Sequence, residues 1–132
     1  MGGEAAFRIE SAIAGPFVTV LSLVGPIDNG ARAELQSRLG DPELTSRRVV
    51  VDLTRATLHD PWPLALLAES SARFRSHGGE LVLVSDGNAT VAPFVDNGSL
   101  PGLSCFGSLD DAMVELLRDL TKLGEWPPPA TA

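Results

Sequence analysis

The chain has 132 residues and a net charge of −7, with ten Lys and Arg against seventeen Asp and Glu. That balance excludes a binder of nucleic-acid backbones, which needs a basic stripe. Cys105 is the lone cysteine, so there is no internal disulfide, and the core has to come from a 44% apolar content poor in aromatics, that is, from Leu, Val and Ala.

The N-terminus lacks a basic segment followed by an apolar run, and no apolar stretch approaches the ~20 residues of a membrane helix. With a single cysteine this points to the cytoplasm. Asn88 and Asn97 start N-x-S/T matches that mean nothing without secretion.

In chain order, Ala6 to Ile13 reads as a strand that pairs through the Ala14-Gly15-Pro16 turn with Phe17 to Val24, "FVTVLSLV". Gly25-Pro26 loosens that strand, and Ile27 is its last apolar residue. Asp28 or Asn29 then caps a helix with Ala31, Leu35 and Leu39 on one face, closed by Gly40. Arg48 to Leu53, "RVVVDL", is a short continuous apolar run, as in a central strand covered on both faces. Pro63 to His77 forms a helix with Leu64, Leu67, Ala68, Ser71 and Phe74 on one face, stopped by Gly78-Gly79. Leu81 to Val84 is another buried strand, Val91 to Asn97 a short helix broken by Pro93, and Leu103 to Phe106 a last strand. Ser108 caps the final helix, with Asp111 three residues on. The alternation predicts a mixed α/β sheet of four to five strands with about four helices, mainly on one face. One domain spans 1–124, and 125–132 is a Pro-rich tail.

Signs of catalysis are few. There is no Gly-rich phosphate loop, and His59 and His77 lie outside metal-ligand spacing. His77 suits the negative end of its helix. His59 beside Asp60 has no nucleophile at a suitable spacing. Cys105 reads as a small strand residue, and Asp110-Asp111 complements a helix dipole. No cofactor or metal is expected.

The unusual stretch is Leu58 to Leu64, "LHDPWPL", which leads from a strand toward a helix, where α/β sheets place their sites. Asp60 and Trp62 each precede a proline and are biased toward extended geometry, and Pro63 suits the first helical position. Trp62 is either a rigid exposed anchor or a side chain folded back onto the core.

These residues, in this order, resemble the STAS domain, especially bacterial anti-sigma factor antagonists. Val49 to Leu67, "VVVDLTRATLHDPWPLALL", is similar to the family's "VVVDLS…FIDSSGLGALL", with Asp52, Leu53 and Thr54 on its D-L-[ST] and Asp60 on the acid before its serine. The later "GGELVLV" and "FGSLDDAMVELL" are similar to its "G-x-L-x-L-V" strand and closing helix. The resemblance implies a non-enzymatic cytoplasmic protein that binds an anti-sigma factor with serine kinase activity, and a switch in which that kinase phosphorylates a serine at a helix N-terminus. It covers residues 6 to 122. Here Pro61-Trp62-Pro63 stands where the family has Ser-[Ser/Thr/Ala]-Gly, so the phospho-acceptor position has no hydroxyl. The candidate partner-binding residues are Asp60, Pro61, Trp62 and Pro63, with Asp28 and Asn29. Of the nearby hydroxyls on Thr54, Thr57, Ser70 and Ser71, Thr57 and Ser70 are the candidate displaced acceptors. The expected function is a protein-binding regulatory module, monomeric or weakly dimeric, without nucleic-acid binding or membrane insertion. The alternative is a docking subunit of a transport or stress-signalling complex.

Overall fold

The structure, a computed structural model, describes residues 7–13, 18–42, 47–85, 89–91 and 103–122, with side chains of the last segment described to residue 116. The strands are β1 (Arg8–Ile13), β2 (Val18–Ile27), β3 (Arg48–Asp52), β4 (Ala56–Leu58), β5 (Glu80–Val84) and β6 (Cys105–Phe106). The helices are α1 (Arg32–Leu39), entered through a 3-10 turn at Asn29–Ala31, then α2 (Trp62–Ser76) and α3 (Leu109–Lys122). The sheet order is β1-β2-β3-β5-β6, with β1 antiparallel to β2 and the other neighbours parallel.

Period-2 alternation sorts the sheet into two apolar layers. Leu21 and Leu23 of β2, Val49 and Val51 of β3 and Leu81 and Leu83 of β5 face Leu35 and Leu39 of α1 and Leu64, Leu67 and Phe74 of α2. Val18, Val20, Val50, Val82 and Val84 face Ala112 and Leu116 of α3. Val49, Val50 and Val51 are fully buried, as expected of a strand covered on both faces.

The fold class matches the expectation, with local differences. Among the described residues there are three α-helices, two on one face and α3 on the other. The helix expected over 91–97 lies outside the described residues beyond Val91, as do the Ala14–Pro16 turn and the 125–132 tail. The strand expected from Leu103 is confined to Cys105–Phe106. β4 is a further short strand after β3. Its three residues are too few to show a period.

Local chemistry sets the helix ends. Asp28 Oδ1 accepts the Gly30 N–H at 3.0 Å, and Ser108 Oγ accepts the Asp111 N–H at 3.1 Å. α2 ends in a Schellman motif: the Gly79 N–H reaches the Phe74 carbonyl at 2.8 Å and the Gly78 N–H reaches that of Arg75 at 3.2 Å. Gly78 has φ 86° there, in the left-handed region. Gly78→Ala is expected to cost about 1 kcal/mol, since the left-handed backbone penalises a Cβ by ~1–2 kcal/mol, read as a lower denaturant midpoint at unchanged slope.

The edge strand β1 is tied to the β3–β4 connection by charge. Glu10 binds Arg8 Nε and Arg55 Nη2, each at 2.8 Å, on the exposed surface. Arg8 first, and Arg55 with it, hold the Glu10 carboxyl below the usual glutamate range. A depressed acid contributes above its unfolded pKa and loses that contribution as pH falls through its folded one. Glu10→Gln is therefore expected to be slightly less stable than wild type at neutral pH. The two should converge as pH falls below the glutamate range, and also in 1 M salt. Denaturation midpoints at pH 7 and pH 3 check this.

Candidate functional site

The site is built by a change of register. Ser22 of β2 pairs with Asp52 of β3, but Gly25 pairs with Ala56 of β4. Between those pairs β2 spends two residues, Leu23 and Val24, and the other side spends three, Leu53, Thr54 and Arg55. The extra residue is a bulge. Asp52 Oδ1 holds it by accepting the Thr54 N–H at 2.9 Å, as in an Asx turn. Opposite it Gly25 takes φ 94° and donates its N–H to the Arg55 carbonyl at 3.0 Å, a backbone that favours glycine.

An insertion of one residue inverts which side chains face the core. Odd positions Val49, Val51 and Leu53 enter the α1–α2 layer before the bulge, and even positions Ala56 and Leu58 enter it afterwards. Thr90 braces β4, accepting the Leu58 N–H at 3.1 Å and donating to the Ala56 carbonyl at 3.4 Å. Ile27 then lies opposite Leu58. The chain thus leaves both strands side by side, and the structure brings the Asp28–Asn29 segment next to the His59–Pro61 segment. Asp28, Asn29, His59, Asp60 and Pro61 are all exposed.

Pro61 is the N-cap of α2, with φ −81° and ψ −8°, and contributes no side-chain cap. Its carbonyl accepts from both Leu64 and Ala65, each at 3.1 Å. Pro63, without an N–H, sits buried at the second helical position. The Trp62 amide is thus the one N–H in this turn without a described acceptor within the helix.

Trp62 is helical, which corrects the expectation that it would be extended and that Pro63 would open the helix. The local bias of a pre-proline residue is overridden by burial, because the helical start lays the indole against the main core. Trp62 is neither a bare anchor nor core. It is half-buried, and the Arg32 guanidinium covers its ring, with Cζ 4.6 Å from the centroid. Its Nε1 is buried with no hydrogen-bond partner among the described residues, a state that costs about 1–3 kcal/mol for a donor.

Two concavities flank this corner. One, of about 200 Å³, lies between α1 and α2 and is lined by Arg32, Gln36, Trp62, Ala65, Leu66 and Glu69. The other, of about 310 Å³, is bordered by Phe7, Pro26, Asp28, Gly30, Ala31 and Glu34. Both are at or below the small end of the ~300–1,000 Å³ of small-molecule sites.

The hydroxyls separate by burial. Ser70 and Ser71 are fully buried and accept from Arg73 at 3.2 Å and Arg75 at 3.0 Å. Ser70, one of the two candidate displaced acceptors, thus has no exposed hydroxyl in this fold. Thr57 on β4 and Thr54 in the bulge are half-buried. His77 caps the end of α2, its Nδ1 donating to the Arg73 carbonyl at 2.9 Å. Cys105 is half-buried, with Sγ 3.8 Å from Ser85 Oγ. Among the described residues no group of His, Cys, Asp and Glu could hold a metal ion, and no helix is long and apolar enough to cross a membrane.

Residues 9–112 match the STAS domain, and the chain belongs to that family. Within it, the fold is that of the anti-sigma factor antagonists. An antagonist from Mycobacterium paratuberculosis superposes with a TM-score of 0.71 at 24% identity, covering 86% of this chain and 97% of that one. RsbS of Moorella thermoacetica, bearing a Ser-to-Glu substitution, superposes at 0.64 and 17% identity, covering 87% and 98%. The Bacillus cell-fate determinant SpoIIAA in its phosphorylated form superposes at 0.57 and 15% identity, covering 83% and 98%. No curated protein matches the chain in sequence.

For a half-buried indole, Trp62→Ala is expected to cost about 2 kcal/mol, below the 3–5 kcal/mol of a fully buried aromatic. Arg32→Ala is expected to cost about 0.5–1 kcal/mol through the lost cation–π contact. The double variant should cost less than the sum. Chemical denaturation of the three variants measures all of this.

Proposed function

We propose that the chain is a non-catalytic, cytoplasmic regulatory module that binds a protein partner of the anti-sigma factor, serine-kinase-like class, and that it does so without a serine switch at residue 61. The observation that carries this reading is the corner itself. The β2 and β4 ends present Asp28, Asn29, Asp60 and Pro61 together beside Trp62 and Pro63. The position that the family resemblance gives to the phospho-acceptor is a proline capping α2.

SpoIIAA exists in phosphorylated and unphosphorylated forms. Phosphate at a helix N-terminus draws on free N–H groups and the positive dipole end. In this chain Pro61 brings no acceptor oxygen, and the first turn of α2 brings almost no free N–H. Ser70 is sealed, which leaves Thr57 as the one displaced acceptor to test. Partner binding is accordingly constitutive with respect to this corner.

The test begins with capture from native lysate, where a sigma regulator or kinase of the anti-sigma class is the expected partner. A membrane ATPase or transporter in its place would overturn the assignment. Incubation with that partner and ATP, followed by phosphate mapping, should leave residues 54–71 unlabelled. Stoichiometric labelling of Thr57 would mean that a switch persists there. Trp62→Ala is expected to weaken binding of the folded fraction at least tenfold, about 1.4 kcal/mol. Unchanged affinity would make Trp62 a packing residue only.

A further inference from the structure

β1 is an open edge of the sheet. It pairs with β2 on one side, and on the other it has no partner among the described strands. All six of its residues are exposed or half-buried. An open edge is a template for a further strand, and natural proteins blunt it with charge, proline or a bulge. β1 carries its charges only in its first half. There Arg8 and Glu10 engage each other, and Glu10 also engages Arg55. The second half, Ser11, Ala12 and Ile13, has no charge, proline or glycine. It ends in Ile13, which at 69% is the most exposed large apolar side chain among the described residues.

The pairing with β2 fixes where each side chain points. Ile9, Ser11 and Ile13 stand opposite Leu23, Leu21 and Thr19, on the α1–α2 face. Arg8, Glu10 and Ala12 stand opposite Val24, Ser22 and Val20, on the α3 face. A strand laid antiparallel along the outer edge puts directly opposed side chains on one face. Two copies of β1 related by a two-fold axis therefore centre on a single residue, and the side chains select which. Centring on Glu10 sets two carboxylates against each other, which is destabilising. Centring on Ile9 leaves Ile13 outside the overlap, and centring on Ala12 overlaps residues 11–13 alone. Centring on Ser11 overlaps residues 9–13. It sets Ile9 against Ile13 of the second copy, twice, and Glu10 against the small Ala12.

We infer that β1 pairs with β1 of a second copy, antiparallel about a two-fold axis at Ser11, so that one sheet runs through both. The interface is isologous. The two Ile9–Ile13 pairs supply its apolar contact, and the backbone groups of the open edge supply its hydrogen bonds, as in strand addition. The overlap is short beside the interfaces of permanent dimers, so the dimer dissociates on dilution. The axis reverses strand direction, which sets the two Asp28–Asp60 corners at opposite ends of the dimer. The pairing holds whichever class of partner the corner binds.

Sedimentation velocity of the full chain, from micromolar to millimolar concentration, is expected to show a monomer–dimer equilibrium. Ile13→Lys places a charge against Ile9 of the second copy. It should weaken dimerisation at least tenfold with the denaturation midpoint unchanged, since residue 13 is already exposed. Single cysteines in a Cys105→Ala background read the register. Ser11, Ala12 and Ile13 are all exposed, but only residue 11 lies on the axis. Ser11→Cys should form an intermolecular disulfide at least tenfold faster than Ala12→Cys or Ile13→Cys. The cysteine series stands by itself if Ile13→Lys disturbs the fold. A monomer at every concentration, a dimer indifferent to Ile13→Lys, or cross-linking at residue 12 or 13 as fast as at 11 overturns the inference.

Discussion

The pairing of β4 with β2 depends on a single extra residue. β3 and β4 are two pieces of one extended segment laid along β2, and without the bulge at Leu53–Arg55 the second piece would present Thr57 and not Ala56 and Leu58 to the core. Burial of those two apolar side chains outweighs the broken ladder, whose stray groups are gathered by Asp52, Gly25 and Thr90. The step in register carries β4 up to the level of Ile27, and from that level both site segments depart. The corner is therefore a property of the core as much as of the loops that form it.

At that corner Trp62 is only partly spent on the fold. The indole covers part of the main core, yet its nitrogen gains no partner among the described residues, and the Arg32 guanidinium lies over its ring. An apolar face that is only half spent on the fold leaves area for another surface. The arginine that covers it also lines the concavity between α1 and α2.

Much of this was legible in the sequence because the strong signals are physical necessities. "RVVVDL" and "LVLV" are apolar without a break, and strands covered on both faces have to be. The Gly78-Gly79 stop, the Asp28 and Ser108 caps and the Leu64–Leu67–Phe74 face each follow from local geometry. β4 carries little local signature as a separate strand because its partner lies 31 residues earlier, Gly25 opposite Ala56. Trp62 was placed only as a pair of alternatives because its helical state overrides a pre-proline bias through contacts with α1 that no local pattern encodes. The burial of Ser70 follows from the width of the apolar face of α2, which the 3.6-residue period leaves undetermined at its margins.

The two prolines at the start of α2 also bear on reversibility. A serine placed at residue 61 would supply a hydroxyl, but Pro63 would still withhold one amide, and the Leu64 amide is already turned toward the residue 61 carbonyl. A phosphoryl group installed there would find little of the cradle that a helix start ordinarily offers. A charge-operated device at this place would take coordinated replacements at residues 61 and 63, since a hydroxyl alone would meet a turn already short of free amides.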